Sequence, residues 1–142
     1  MSWGETLFLK KIIEGKRTLA ASDNVLKVLF SGDKFVEDTD TFVGTFIPKK
    51  DGSVRVLVAV SYNNDYTASS FVTINIKEKG VVVASKGVAI STDSNYQYFS
   101  IDVAITTNSS YDVYIKRTNG GVSLKEAKIC ASIVDTSLVE VV

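Results

Sequence analysis

Between Phe42 and Arg117, apolar and polar side chains alternate run after run, and each run ends at a turn signal. Val54, Val56, Val58, Val60 and Tyr62 share one parity, and Arg55, Leu57, Ala59 and Ser61 the other. Side chains along a strand point to opposite faces in turn, so this spacing predicts a strand with one face on a core. Tyr111, Val113 and Ile115 alternate with Asp112, Tyr114 and Lys116 in the same way. That is the pattern of a sheet with one wet face. Helical periodicity is almost absent from this stretch.

Extending the reading predicts strands at Val25–Phe30, Thr41–Ile47, Ser53–Tyr62, Ser70–Glu78, Val81–Ile90, Tyr96–Thr106, Tyr111–Arg117 and Ala127–Val134. A last short piece, Ser137 to Val142, is expected to pair at a sheet edge. Asp51-Gly52 and Lys79-Gly80 both read as tight hairpin turns between alternating runs. Thr92 to Asn95, Asn108 to Ser110 and Asn119 to Gly121 are turn clusters. The single proline, Pro48, falls at a strand end, where a missing N–H costs least.

The first residues differ. Ser2-Trp3-Gly4-Glu5 fits a capping box, and Phe8, Leu9, Ile12 and Ile13 lie at helical spacing. Gly15 suits a helix end, followed by Lys16 and Arg17. The spacing predicts a short amphipathic helix over about residues 3 to 14; the rival is a strand from Leu7 to Ile13. Residues 1–17 are thus an N-terminal segment, and residues 18–142 one domain.

About eight strands joined by short turns predict an all-β fold, two antiparallel sheets packed as a jelly-roll-like sandwich. Unequal strand lengths and long apolar runs argue against a closed barrel. The chain has 142 residues, enough for one domain that buries its own core.

Charge narrows the function classes. Lys plus Arg number 16 and Asp plus Glu 16, so the field of a nucleic-acid binder is missing despite Lys10, Lys11, Lys16 and Arg17. With no histidine, the Ser-His-Asp and Cys-His sites are excluded, and so are Cys/His zinc sites. No apolar stretch reaches the ~20 residues of a membrane-spanning helix, and no basic stretch precedes an apolar one at the start. No cofactor, metal, membrane or nucleic-acid partner is expected, and synthesis is expected in the cytoplasm.

Candidate chemistry is sparse. Glu37, Asp38 and Asp40 cluster in one loop but lack the fixed spacing of an EF-hand, so they read as turn formers. Cys130, between Ile129 and Ala131, reads as a buried small hydrophobe. Aromatic residues beside amides are the better lead. Tyr62, Asn63, Asn64 and Tyr66 form one such group, and Tyr96 and Gln97 another. Rings that stack and amides that hydrogen-bond suit a sugar surface; the alternative is that these tyrosines cap the sheet ends. Trp3, Leu7, Phe8, Leu9, Ile12 and Ile13 carry more apolar surface than an exposed tail keeps, and are expected to bury in a neighbouring copy of a homo-oligomer.

Two stretches carry a resemblance: Thr45 to Val56, TFIPKKDGSVRV, and Tyr98 to Ile105 continuing to Tyr111 to Ile115. Over roughly residues 40 to 117 the chain resembles small β-sandwich modules of phage and prophage virions from Gram-positive bacteria. The opening Met1 to Thr6 is similar to the start of short prophage reading frames. The resemblance implies a non-enzymatic structural or attachment protein, located in the virion, with other virion proteins or a cell-surface glycan as partners. The alternative is a stand-alone carbohydrate-binding module.

Overall fold

The computed structural model describes residues 18–62, 70–91 and 95–142. Among them it places nine strands: β1 (Val25–Phe35), β2 (Thr41–Pro48), β3 (Gly52–Tyr62), β4 (Ser70–Glu78), β5 (Val81–Ile90), β6 (Gln97–Ile105), β7 (Tyr111–Arg117), β8 (Val122–Cys130) and β9 (Val139–Val141). The N-terminal helix expected over residues 3 to 14 lies outside the described residues.

The strands form two sheets, one in the order β1-β8-β3-β6 and one in the order β5-β4-β7-β2-β9. Every neighbouring pair is antiparallel. The two sheets stack as the jelly-roll-like sandwich that the alternation predicts. Only β4 and β5 are joined within one sheet; each other connection carries the chain across to the opposite sheet. At that one hairpin, Lys79 and Gly80 have φ of 51° and 78°. Positive φ at both central residues matches the twist of the flanking strands.

The inward rows are those the alternation selects. Val54, Val56, Val58, Val60 and Tyr62 of β3 are all buried. They meet one hydrophobic cluster with Val72, Ile74 and Ile76 of β4 and Tyr111, Val113 and Ile115 of β7. Within it the rings of Phe46 and Tyr111 stack, 5.3 Å between centroids and 20° between planes. The Tyr111 hydroxyl accepts a hydrogen bond from Thr106 N at 2.8 Å, which satisfies the polar end of a buried ring.

Three expectations fail for nameable reasons. Asp51-Gly52 makes no hairpin, because β2 and β3 belong to different sheets. Its turn instead seats Leu19: Leu19 N donates to Asp51 O at 2.8 Å and Ser53 N donates to Leu19 O at 2.9 Å. Gly52 has φ of +132°, and a Cβ there would run into the Leu19 carbonyl oxygen. β8 starts at Val122, not Ala127, because a bulge opposite Ala59 and Val60 shifts the inward phase from Leu124 to Ala127. It stops at Cys130, not Val134, because Ala131 N donates to Asn24 O and Ser132 N to Ala20 O, which draws the chain out of the ladder. β1 runs on to Phe35 through register shifts at Val25/Lys27, Val28/Phe30 and Ser31/Lys34, the last of which spans Gly32. The short C-terminal piece does pair at an edge, as β9 on β2.

Candidate functional site

The outward face of the five-stranded sheet carries side chains from β2, β4, β5 and β7. Along β4, Phe71, Thr73, Asn75 and Lys77 point away from the buried Val72, Ile74 and Ile76. Along β7, Asp112, Tyr114 and Lys116 do the same. Pairing sets them in rows. Phe42 lies beside Tyr114, Tyr114 beside Asn75, and Asn75 beside Ser85. One row away, Thr45 lies beside Asp112 and Asp112 beside Lys77.

Phe42 and Tyr114 meet edge to face, 5.7 Å between centroids at 62°. Phe42 remains 46% exposed, a large apolar ring in water on a strand whose other aromatic, Phe46, is fully buried. Its main chain is held by Lys34, whose Nζ donates to Phe42 O at 2.7 Å. The Lys77 ammonium sits 4.6 Å from the centre of the Tyr114 ring, where the negative face of the π-system attracts a cation.

The polar centre of this face is Asp40, from the connection between β1 and β2. Its Oδ2 accepts from Lys77 Nζ at 2.9 Å and its Oδ1 from Asn75 Nδ2 at 3.4 Å. Asn75 Oδ1 accepts in turn from Ser85 Oγ at 2.7 Å. Asn75 is only 8% exposed although it stands on the wet side, because these partners close over it. The Lys77 hydrogen bond holds the Asp40 carboxyl below the usual aspartate range, against the opposing effect of burial, and the same bond raises Lys77. The connection that carries Asp40 is itself tied to β7: Arg117 N donates to Glu37 O at 2.9 Å and Arg117 Nε to Val36 O at 2.8 Å. Glu37 and Asp38 join no metal cluster, and among the described residues no group of His, Cys, Asp or Glu could hold a metal ion.

A groove of about 410 Å³ opens elsewhere, lined by Arg55, Ser85, Lys86, Ser100, Ile101 and Asp102. Its charges are already committed. Arg55 donates to both Asp102 oxygens at 2.8 and 3.2 Å and to Asp23 at 2.8 Å, which depresses Asp102 and raises the guanidinium further. Lys86 Nζ donates to Ser100 O at 2.8 Å and so caps the open edge of β6. This groove is a tie between the two sheets rather than a free site.

Of the tyrosines singled out in the sequence, Tyr62 and Tyr96 lie among the described residues, and only Tyr96 is exposed. Tyr62 is 4% exposed and belongs to the core, so its ring has no face for a ligand. Tyr96 is exposed just ahead of β6, which pairs with the β3 of Tyr62 in the four-stranded sheet, and so is not on the face that carries Phe42. Gln97 is bound to the end of β5, accepting from Ser91 N at 3.0 Å and donating to Ser91 O at 2.9 Å. Asn63, Asn64 and Tyr66 lie outside the described residues, as do Trp3, Leu7, Phe8, Leu9, Ile12 and Ile13. Cys130 is buried, and burial pushes its thiol up, away from nucleophilic character. Sequence reasoning missed Phe42, Asn75, Lys77 and Phe71; the parity of β4 opposite Val72, Ile74 and Ile76 already marked the wet face for Phe71, Asn75 and Lys77.

No family model matches the chain, and no curated protein matches it. Solved structures do. A family 35 carbohydrate-binding module from an environmental isolate superposes with a TM-score of 0.51 at 9% identity, over 87% of this chain and 88% of that one. The CBM22-1 xylan-binding domain of Paenibacillus barcinonensis Xyn10C gives 0.50 at 10% identity, over 78% and 97%. A family GH115 4-O-methyl-α-glucuronidase, BtGH115A, gives 0.53 at 12% identity, over 79% of this chain but 18% of the enzyme. These likenesses establish a shared fold. They also correct the expectation of a virion module with virion partners: these neighbours are carbohydrate-binding modules and part of a glycoside hydrolase, not phage proteins.

Proposed function

We propose that the protein is a non-catalytic carbohydrate-binding module, and that it holds a saccharide on the outward face of the five-stranded sheet. The observation that carries this reading is the exposed Phe42 ring set beside a fixed polar group, Asp40 with Lys77 and Asn75. The fold shared with carbohydrate-binding modules supports it.

The chemistry suits a sugar. The C–H groups of a pyranose face pack on the flat Phe42 ring, whose quadrupole favours their slight positive charge. Each Asp40 oxygen has two acceptor sites and spends one of them on Lys77 or Asn75, so each keeps one for a sugar hydroxyl. Lys77 keeps donors of its own after its bond to Asp40. Because Asn75 is locked by Ser85, the carboxylate is oriented before any ligand arrives, which lowers the entropy cost of binding.

The test is calorimetric titration and affinity electrophoresis against soluble xylan, hydroxyethylcellulose and arabinogalactan. Binding to at least one polymer that is lost in Phe42→Ala and weakened in Asp40→Asn is expected. A wild-type protein that is retarded by none of them overturns the reading.

A further inference from the structure

Phe71 stands on the same face as Phe42, four residues along β4 from Asn75. At ~3.4 Å per residue this sets it about 14 Å from the Asn75 row. It is 47% exposed. One edge of its ring packs against Gly87 of β5: a Cβ at Gly87 would lie 2.5 Å from Phe71 Cζ and closer still to Cε1. Gly87 has no positive φ, so its backbone does not demand glycine. Glycine inside a strand weakens it. What the missing side chain provides is room for the Cε1–Cζ edge of the ring, which stays about half in water.

The backbone beneath the ring is fixed. Phe71 O accepts from Thr118 N at 2.9 Å and from Thr118 Oγ1 at 3.1 Å. Between this ring and the Phe42–Tyr114 pair stand Thr73 and its cross-strand neighbour Lys116. Lys116 is exposed and makes no ion pair among the described residues. The face therefore offers a flat apolar ring, then a hydroxyl and an ammonium, then a second aromatic group beside a carboxylate.

We infer that Phe71, seated against Gly87, is a second stacking subsite, and that the ligand is an extended saccharide chain of several rings running obliquely across the face from β4 over β7 to Phe42 on β2. This rests on the carbohydrate-binding reading and goes beyond it, because a single sugar or a chain end would need only the Phe42 position. A ring that merely covered the glycine backbone would stabilise the strand and leave chain-length preference untouched.

The experiment titrates full-length wild type, Phe71→Ala, Phe71→Trp, Gly87→Ala and Phe42→Ala with xylohexaose, cellohexaose and the matching disaccharides, with a thermal melt of each variant. The readout is the hexaose-to-disaccharide affinity ratio. The wild type is expected to prefer a hexaose, and Phe71→Ala to reduce that ratio about tenfold, as expected for loss of one well-packed aromatic contact. Gly87→Ala is expected to reduce it too by lifting the ring, and Phe71→Trp to retain it. If a folded Phe71→Ala keeps the wild-type ratio while Phe42→Ala loses binding, the second subsite is overturned and the carbohydrate reading stands. If the wild type binds neither hexaose nor any polymer, both fall.

Discussion

Asn75 and Asp40 meet on the outward face of the five-stranded sheet, the amide Nδ2 donating to a carboxylate oxygen at 3.4 Å across 35 residues of sequence. The contact turns a loop aspartate into a fixed acceptor and buries an asparagine on the wet side of a sheet. Removing the amide takes the acceptor from Ser85 and one of the two anchors from Asp40, which keeps Lys77, and it empties a position that is only 8% exposed. Asn75→Ala is therefore expected to cost about 1–3 kcal/mol in urea unfolding, more than an exposed asparagine would. It is also expected to weaken ligand binding, because Asp40 loses its second anchor. A variant as stable as the parent would show that the pair is ornamental.

The same carboxylate sets an acid limit. Lys77 holds Asp40 below its ordinary value of 3.8, so Asp40 contributes stability that is fully present above that value. The contribution is lost as pH falls through the lower folded-state value. Lys77 is raised, so its side of the pair is intact until pH climbs past the ordinary lysine value of 10.5. Melting temperature is expected to stay level through the neutral range and to drop below about pH 4, with a shallower drop in Asp40→Asn. Asp102, depressed by Arg55, adds to the wild-type slope in the same direction. A wild type and an Asp40→Asn variant with superimposable pH profiles would contradict this.

The two sheets should behave differently toward ligand. Tyr98 is 63% exposed on β6 of the four-stranded sheet, opposite Ala59. Phe42 is on the five-stranded sheet. Phe42→Ala is expected to lower affinity about tenfold or more with little change in melting temperature, since its ring is half in water. Tyr98→Ala is expected to leave affinity within twofold, roughly the ±0.5 kcal/mol scatter of surface changes. The reverse pattern would move the site to the other sheet.

Phe46 and Tyr111 give the core its only stacked aromatic pair among the described residues. Phe46 is fully buried, so truncation leaves a cavity that neighbouring strands cannot close. Phe46→Ala is expected to cost about 3–5 kcal/mol by denaturant titration. A loss below 1 kcal/mol would mean that the sheets slide together to fill the gap.

Gly52 is the most constrained of the described glycines. Its φ of +132° is a conformation L residues rarely adopt, and the Leu19 backbone lies where a Cβ would go. Gly52→Ala is expected to displace the Leu19 segment and to speed proteolysis ahead of β1, with a fall in melting temperature. An alanine variant that melts with the parent would show that this segment is free to shift.

Much of the fold was legible because alternation is local. Each strand from β2 to β7 could be placed from its own residues, and Val54, Val56, Val58, Val60 and Tyr62 were assigned inward by parity alone. β8 was misplaced because its bulge breaks that parity at Lys125 and Glu126, and no local signal announces a bulge. The site was less legible. Tyr114, Asp112 and Lys116 could be assigned to a wet face, but Asp40 looked like one more turn residue, and Tyr62 beside its amides looked like a sugar platform.

The sequence by itself determined the class of fold, the inward and outward rows of most strands, and the exclusion of histidine-based catalysis. These follow from backbone geometry and composition, which act residue by residue. Only the tertiary structure decided that Asp51-Gly52 crosses between sheets, that Asp40 reaches Asn75 and Lys77, and that Gly87 makes room for the edge of the Phe71 ring. Each of these depends on which distant strands become neighbours and in what register. That choice is made by the packing of the whole core, and no segment carries it alone.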